Sequence, residues 1–161
     1  MSNVRVIFMC GPAGSGKSTF ARQLEAEGMA RLSFDTEAWN RGIRAMPLPQ
    51  HVCDAIEEEL IAQLRSYIES GVSVVLDFSF WSRNMRDDYR RLVRGFGVEP
   101  ETIYLATSRD VVLKRIRKRS CSDSDDFVIS EELAGEYFDK FEVPTSEEGP
   151  LKIITGGDLT R

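Results

Sequence analysis

The sequence predicts an α/β domain: a parallel sheet of five strands with helices on both faces, in three layers. Three observations carry this. Short apolar runs alternate with helical patterns along the whole chain, which is the mark of successive strand–helix–strand units. The first run, Val4-Arg5-Val6-Ile7-Phe8-Met9-Cys10, is apolar at all but one position, as a strand covered on both faces must be. That run leads straight into Gly11-Pro12-Ala13-Gly14-Ser15-Gly16-Lys17-Ser18, which satisfies G-x-x-x-x-G-K-[ST] between a strand and a helix.

Taken in order, the helix after the glycine-rich loop has Phe20, Ala21 and Leu24 at helical spacing and is ended by Gly28. A second strand over 29–34 stops at Asp35, where a helical stretch begins that fades near Arg44. Pro47 and Pro49 mark a loop. From 52 to 70 the residues Val52, Ile56, Leu60, Leu64, Tyr67 and Ile68 recur at threes and fours, so this is a long amphipathic helix ended by Gly71. Val72-Ser73-Val74-Val75-Leu76-Asp77 is rich in β-branched residues and reads as a third strand that closes on a carboxylate. Ser82 can cap a helix over 83–95, with Met85, Tyr89, Leu92 and Val93 as its apolar stripe and Arg83, Arg86, Arg90 and Arg94 on another face. A fourth strand over 101–106 precedes a helix that ends near Arg119. An acidic loop follows, then a helix that starts at Ser130 and runs to Phe141, a turn at Glu147-Glu148-Gly149-Pro150, and a fifth strand over 151–155.

The 161 residues suit one domain, with no repeat or linker to divide them. Lysine and arginine number 21 against 26 aspartates and glutamates, a net charge of −5. That balance disfavours non-specific nucleic-acid binding, which depends on neutralising phosphates. No apolar run approaches the ~18 residues of a membrane span, and the N-terminal run is too short for a signal peptide. The three cysteines are scattered, without a C-x-x-C pair, and His51 is the only histidine. This argues against a disulfide framework and a structural zinc site, and a reducing cytoplasm is expected.

The glycine-rich loop is the phosphate-binding P-loop signature. Gly11, Ala13, Gly14, Ser15, Gly16, Lys17, Ser18 and Thr19 are the expected nucleotide contacts. Backbone N–H groups here can surround a phosphate, and the helix N-terminus adds positive potential. By the motif, Lys17 reaches the β- and γ-phosphates and the Ser18 hydroxyl binds Mg²⁺. The absence of N-K-x-D argues against a GTPase, and the absence of an L-S-G-G-Q-like stretch against a transporter ATPase. Asp35 ends the second strand, so a parallel sheet puts it on the carboxyl edge beside the loop. There it can accept a proton from a substrate hydroxyl that attacks the γ-phosphate; the alternative is that it caps the helix that follows. Asp77 can hold Mg²⁺ through water or bind a substrate hydroxyl, or merely cap a turn. Arg115 and Arg119 share a helix face and can stabilise charge on the transferred phosphoryl group, or form a solvated basic face with Lys114, Arg117 and Lys118. Arg83 and Arg86 are nearest the sheet edge and can contact substrate; the alternative is surface ion pairing with Asp87 and Asp88. Phe78, Phe80 and Trp81 either line an acceptor pocket or pack beneath the next helix.

On Gly11–Ser18, Leu32-Ser33-Phe34-Asp35, Val74-Val75-Leu76-Asp77, the arginine-rich stretches 83–91 and 115–119, and Phe141-Glu142-Val143-Pro144-Thr145, the chain resembles small P-loop kinases of the AAA_33 or zeta-toxin-like group. That group includes the kinase domain of phage polynucleotide kinase, chloramphenicol phosphotransferase and gluconate kinase. The resemblance implies a P-loop NTPase sheet of the nucleotide-kinase kind, ATP and Mg²⁺, and a lid over about 115–130. It makes Asp35 the general base, Arg115 and Arg119 lid arginines, and Arg86 a substrate-side arginine. Two departures stand out: Asp123, Asp125 and Asp126 in the lid, and the aromatic run after Asp77. The second suggests an acceptor other than a nucleic-acid 5′ end. The expected activity is transfer of the γ-phosphate of ATP to a hydroxyl of a small molecule. The alternatives are a polynucleotide 5′-hydroxyl kinase and a non-catalytic, regulatory ATP-binding module.

Overall fold

A computed structural model describes residues 4–12, 15–43, 48–119 and 131–155. Five parallel strands form one sheet: β1 Val6–Cys10, β2 Ala30–Ser33, β3 Val74–Ser79, β4 Glu101–Ala106 and β5 Leu151–Thr155, in the order β2-β3-β1-β4-β5. The helices are α1 Lys17–Ala26, α2 Phe34–Asn40, α3 Gln50–Glu69, α4 Arg83–Gly95, α5 Arg109–Arg119 and α6 Glu131–Lys140, with a 3₁₀ turn at Ser146–Glu148.

β1 lies at the centre of the sheet, and all five of its residues are buried. Strand alternation divides them between two cores. Val6, Phe8 and Cys10 join Ile56, Leu60 and Leu64 of α3 and Tyr89 and Val93 of α4. Ile7 and Met9 join Ala21 of α1 with Val75, Ile103, Leu105 and Ile154. Both faces are therefore covered, and the apolar reading of the first strand has its cause.

The strand order also fixes where chemistry can occur. β2, β3 and β1 are consecutive neighbours, so the three connections that leave their carboxyl ends open onto one edge. Those connections carry α2, the aromatic run and the glycine-rich loop.

One local expectation is corrected, one alternative is excluded and one turn is elaborated. Asp77 does not close its strand: β3 continues to Ser79, because β1 and β3 stay paired through a register shift that brings Cys10 opposite Ser79. Asp35 is not the cap of α2. Ser33 takes that place, its hydroxyl accepting from the Thr36 N–H at 3.1 Å, and Asp35 lies in the first turn. The turn at 147–150 is more than a connection. Thr145 and Glu148 close a capping box, and the Glu148 side chain is buried.

Candidate active site

The donor side grows out of β1. Pro12 O accepts from the Ser15 N–H at 3.1 Å, and Gly16, at φ 96°, starts α1 from the left-handed region that glycine alone occupies without cost. Gly11 is held to glycine differently: a Cβ there would stand 2.4 Å from Ser15 Oγ. Ser15 itself is fully buried, and its carbonyl accepts from Thr107 Oγ1 at 3.2 Å. Thr107 follows β4, so the loop is braced from both neighbouring strands. Ala13 and Gly14 lie outside the described residues, and Thr19 faces solvent.

Asp77 binds this loop to the sheet. Its Oδ2 accepts from Ser18 Oγ at 3.0 Å and from an Arg31 terminal nitrogen at 2.9 Å, and Lys17 Nζ stands 3.9 Å from its Oδ1. The carboxylate is almost wholly out of water, with 1% of its side chain exposed. Its Oδ1 makes no hydrogen bond among the described residues. Two cations around one buried carboxylate leave a net positive surrounding, which suits a polyphosphate.

Asp35 reaches the same edge from β2. Ser33 pairs with Asp77 in register, so Asp35 is two residues beyond the position facing Asp77, half-buried in the first turn of α2. With Ser33 supplying the cap, Asp35 does not serve as the α2 cap.

The arginines divide. Arg115 is half-buried on α5, and the Arg119 side chain lies outside those described, as does the segment 120–130. The helices on either side of that segment are joined by Arg117–Glu131 at 2.6 Å and Arg109–Asp139 at 3.2 Å. Arg83 is half-exposed near Asp87, and its backbone N–H donates to Glu142. Arg86, expected on the substrate side, is instead fully buried. Its Nε and one terminal nitrogen donate to Glu148 at 2.7 and 3.3 Å, and the other donates to Phe80 O at 2.7 Å. Arg90 is buried beside it, donating to Glu148 at 2.8 Å and to Thr102 Oγ1 at 2.9 Å. Burial alone would raise the Glu148 pKa, but hydrogen bonds from both arginines and the Thr145 N–H override it and hold the pKa at about 2. The surface-pairing alternative fails for Arg86, while Arg90 also reaches Asp87 at 3.5 Å.

The aromatic run also divides. Phe78 and Phe80 belong to the core: Phe80 stacks on Phe8 at 4.4 Å and meets Tyr89 edge-on at 5.4 Å. Phe80 has φ 51°, the only described non-glycine residue with positive φ. Its carbonyl accepts from Arg86 and from the Cys10 thiol at 3.5 Å, so packing and hydrogen bonds together hold a backbone state that L-residues avoid. The chain emerges from this bend with Trp81 half-exposed at the sheet edge. Burial pushes the neighbouring Cys10 thiol up to about 12.

Sequence reasoning missed Arg31, Arg90 and Glu148. A signal existed for Arg90: Arg86, Tyr89, Arg90 and Val93 fall at i, i+3, i+4 and i+7 and share the buried face. For Arg31 the signal was a lone charge inside the short strand Ala30–Ser33.

Among solved structures, the fold is similar to a chain of the Pnkp1/Rnl/Hen1 RNA repair complex (TM-score 0.75, 18% identity, covering 87% of this chain and 44% of that one). It is similar to a gluconokinase from Sinorhizobium meliloti (TM-score 0.64, 21% identity, 96% and 84% covered). It is also similar to Chaetomium thermophilum Kti12 in complex with ADP-AlF3 (TM-score 0.71, 15% identity, 93% and 88% covered). The chain spans less than half the length of the RNA-repair chain. None of the curated proteins matches it in sequence. These likenesses establish a P-loop kinase-like fold. The model of the AAA_33 family, described as an AAA domain, matches residues 6–144, and the chain belongs to that family.

Proposed function

We propose that the protein transfers the γ-phosphate of ATP to a hydroxyl of a small-molecule acceptor. One observation carries the reading: Asp77 gathers Lys17, Ser18 and Arg31 around the end of the P-loop, and the β2–β3 register sets Asp35 on the neighbouring connection.

In this reading the P-loop N–H groups and Lys17 bind and orient the polyphosphate. Ser18 and Asp77 would hold Mg²⁺. A hydroxyl and a carboxylate are hard oxygen donors of the kind this ion takes alongside substrate phosphates, and the buried Oδ1 of Asp77, which makes no hydrogen bond among the described residues, fits that role. The ion would neutralise charge on the β- and γ-phosphates. Asp35 accepts the proton of the attacking hydroxyl. Arg115 and Arg119 stabilise charge on the transferred group. Arg83 and the exposed face of Trp81 meet the acceptor. Arg86 has no part in the reaction and acts as a brace.

The test is transfer of label from γ-labelled ATP across sugars, nucleosides, antibiotics and 5′-hydroxyl oligonucleotides. Transfer to a small molecule that is abolished in Asp35→Asn, with ATP affinity retained, supports the proposal. The likeness to an RNA-repair chain makes a polynucleotide 5′-kinase the second reading; it requires oligonucleotide phosphorylation that falls steeply with salt. ATP binding without transfer to any acceptor would point to a regulatory module.

A further inference from the structure

We infer that Arg31 is the positioning residue for Asp77: it holds that carboxylate turned so that its Oδ1 faces the donor site, where a metal ion would bind. This rests on the phosphotransfer reading above. Asp77 has 1% of its side chain exposed, and a carboxylate taken out of water is costly unless cations pair with it and hydrogen bonds hold it. Two cations are present, and they are not equivalent. Lys17 belongs to the P-loop, lies 3.9 Å from Oδ1, beyond hydrogen-bond range, and is needed on the phosphates once nucleotide binds. Arg31 is part of the sheet. It precedes Ser33 by two residues, and Ser33 is directly opposite Asp77, so Arg31 and Asp77 are diagonal neighbours on one sheet face, within reach of a long side chain. Arg31 is itself 8% exposed.

One arm of its fork donates to Asp77 Oδ2 at 2.9 Å, and the other approaches Thr36 Oγ1 at 3.4 Å. Thr36 follows Asp35 in the first turn of α2. The guanidinium therefore ties the donor-side carboxylate to the segment that bears the acceptor-side one. Together with Ser18 Oγ it saturates Oδ2 and leaves Oδ1 without a hydrogen bond among the described residues. When Lys17 turns to phosphate, Arg31 remains as the counter-ion that holds Asp77 in place. Lysine could not substitute fully, because an ammonium cannot span both partners as the planar fork does.

The experiment measures ADP binding by isothermal titration calorimetry, in EDTA and across a Mg²⁺ series, for wild type, Arg31→Met, Arg31→Lys, Asp77→Asn and the Arg31→Met/Asp77→Asn pair. Expected for Arg31→Met is a ~10–100-fold higher Mg²⁺ requirement for the same gain in ADP affinity, the usual effect of removing a partner of a metal-holding residue, with affinity in EDTA unchanged. Arg31→Lys should fall between. The double variant should match Asp77→Asn, since Arg31 acts through Asp77. Wild-type Mg²⁺ demand in Arg31→Met, or equal losses with and without Mg²⁺, overturns the inference. If Arg31→Met does not fold, Arg31→Lys decides, and wild-type demand there overturns it. A wild-type protein that binds no ADP overturns the phosphotransfer reading as well. Wild-type binding that responds to Mg²⁺ while the Arg31 variants are indistinguishable from it overturns only the role of Arg31.

Discussion

Replacing Glu148 with glutamine removes one charge and almost no volume, yet it should cost the fold about 3 kcal/mol. The side chain of Glu148 is 1% exposed, and its carboxylate accepts from Arg86 and Arg90, both themselves buried. Its pKa falls from 4.5 to about 2. A depression of about 2.5 units corresponds to roughly 3 kcal/mol of stability at neutral pH. Breaking a buried pair by removing one partner costs ~3–5 kcal/mol, the same order by an independent route. For a chain of this size that is a fall in Tm of about 6–12 °C. The sign follows from a carboxyl group whose folded pKa lies below its unfolded one. The stability it confers is complete above about pH 5 and is lost as pH drops through 4.5 toward 2. Urea titrations followed by far-UV circular dichroism at pH 7, 5, 4, 3 and 2 would give the difference between wild type and Glu148→Gln. That difference should be constant down to about pH 5 and shrink towards zero near pH 2, where the wild-type carboxyl is itself becoming neutral. A difference under about 1 kcal/mol at pH 7, or one that does not change with pH, would refute the reasoning.

Other expectations follow from single contacts. Gly11→Ala places a methyl 2.4 Å from Ser15 Oγ in a loop already braced by Thr107, so ATP affinity should drop at least ~10-fold; calorimetry giving wild-type affinity would show that the loop can yield. The Cys10 thiol, buried and pushed up to about 12, should resist iodoacetamide at pH 8 in the native protein and react once unfolded; mass spectrometry finding native labelling at Cys10 would contradict this. Trp81→Ala removes a half-exposed ring, so Tm should shift by less than about 2 °C while KM for the acceptor rises and KM for ATP does not. A large loss of Tm would place Trp81 in the framework instead.

The sequence was sufficient for what is local or periodic. The order of strands and helices, the loop Gly11–Ser18 and the buried character of β1 all rest on spacing and composition within a few residues of each other. The placement of Asp35 at a carboxyl edge followed from parallel topology alone. What only the tertiary structure decided depends on which distant side chains meet. Arg86 and Arg83 have the same type and neighbouring positions, yet Glu148, about 60 residues away in sequence, draws Arg86 inside and leaves Arg83 at the surface. Phe80 and Trp81 are adjacent aromatics, and the bend at φ 51° sends one into the core and the other out. Ser33 took the cap that Asp35 could have filled, and Arg31 found Asp77 because strands β2 and β3 lie side by side in a particular register. A charged side chain is exposed in the absence of a partner. Whether that partner exists is a property of the assembled sheet, which local pattern does not carry.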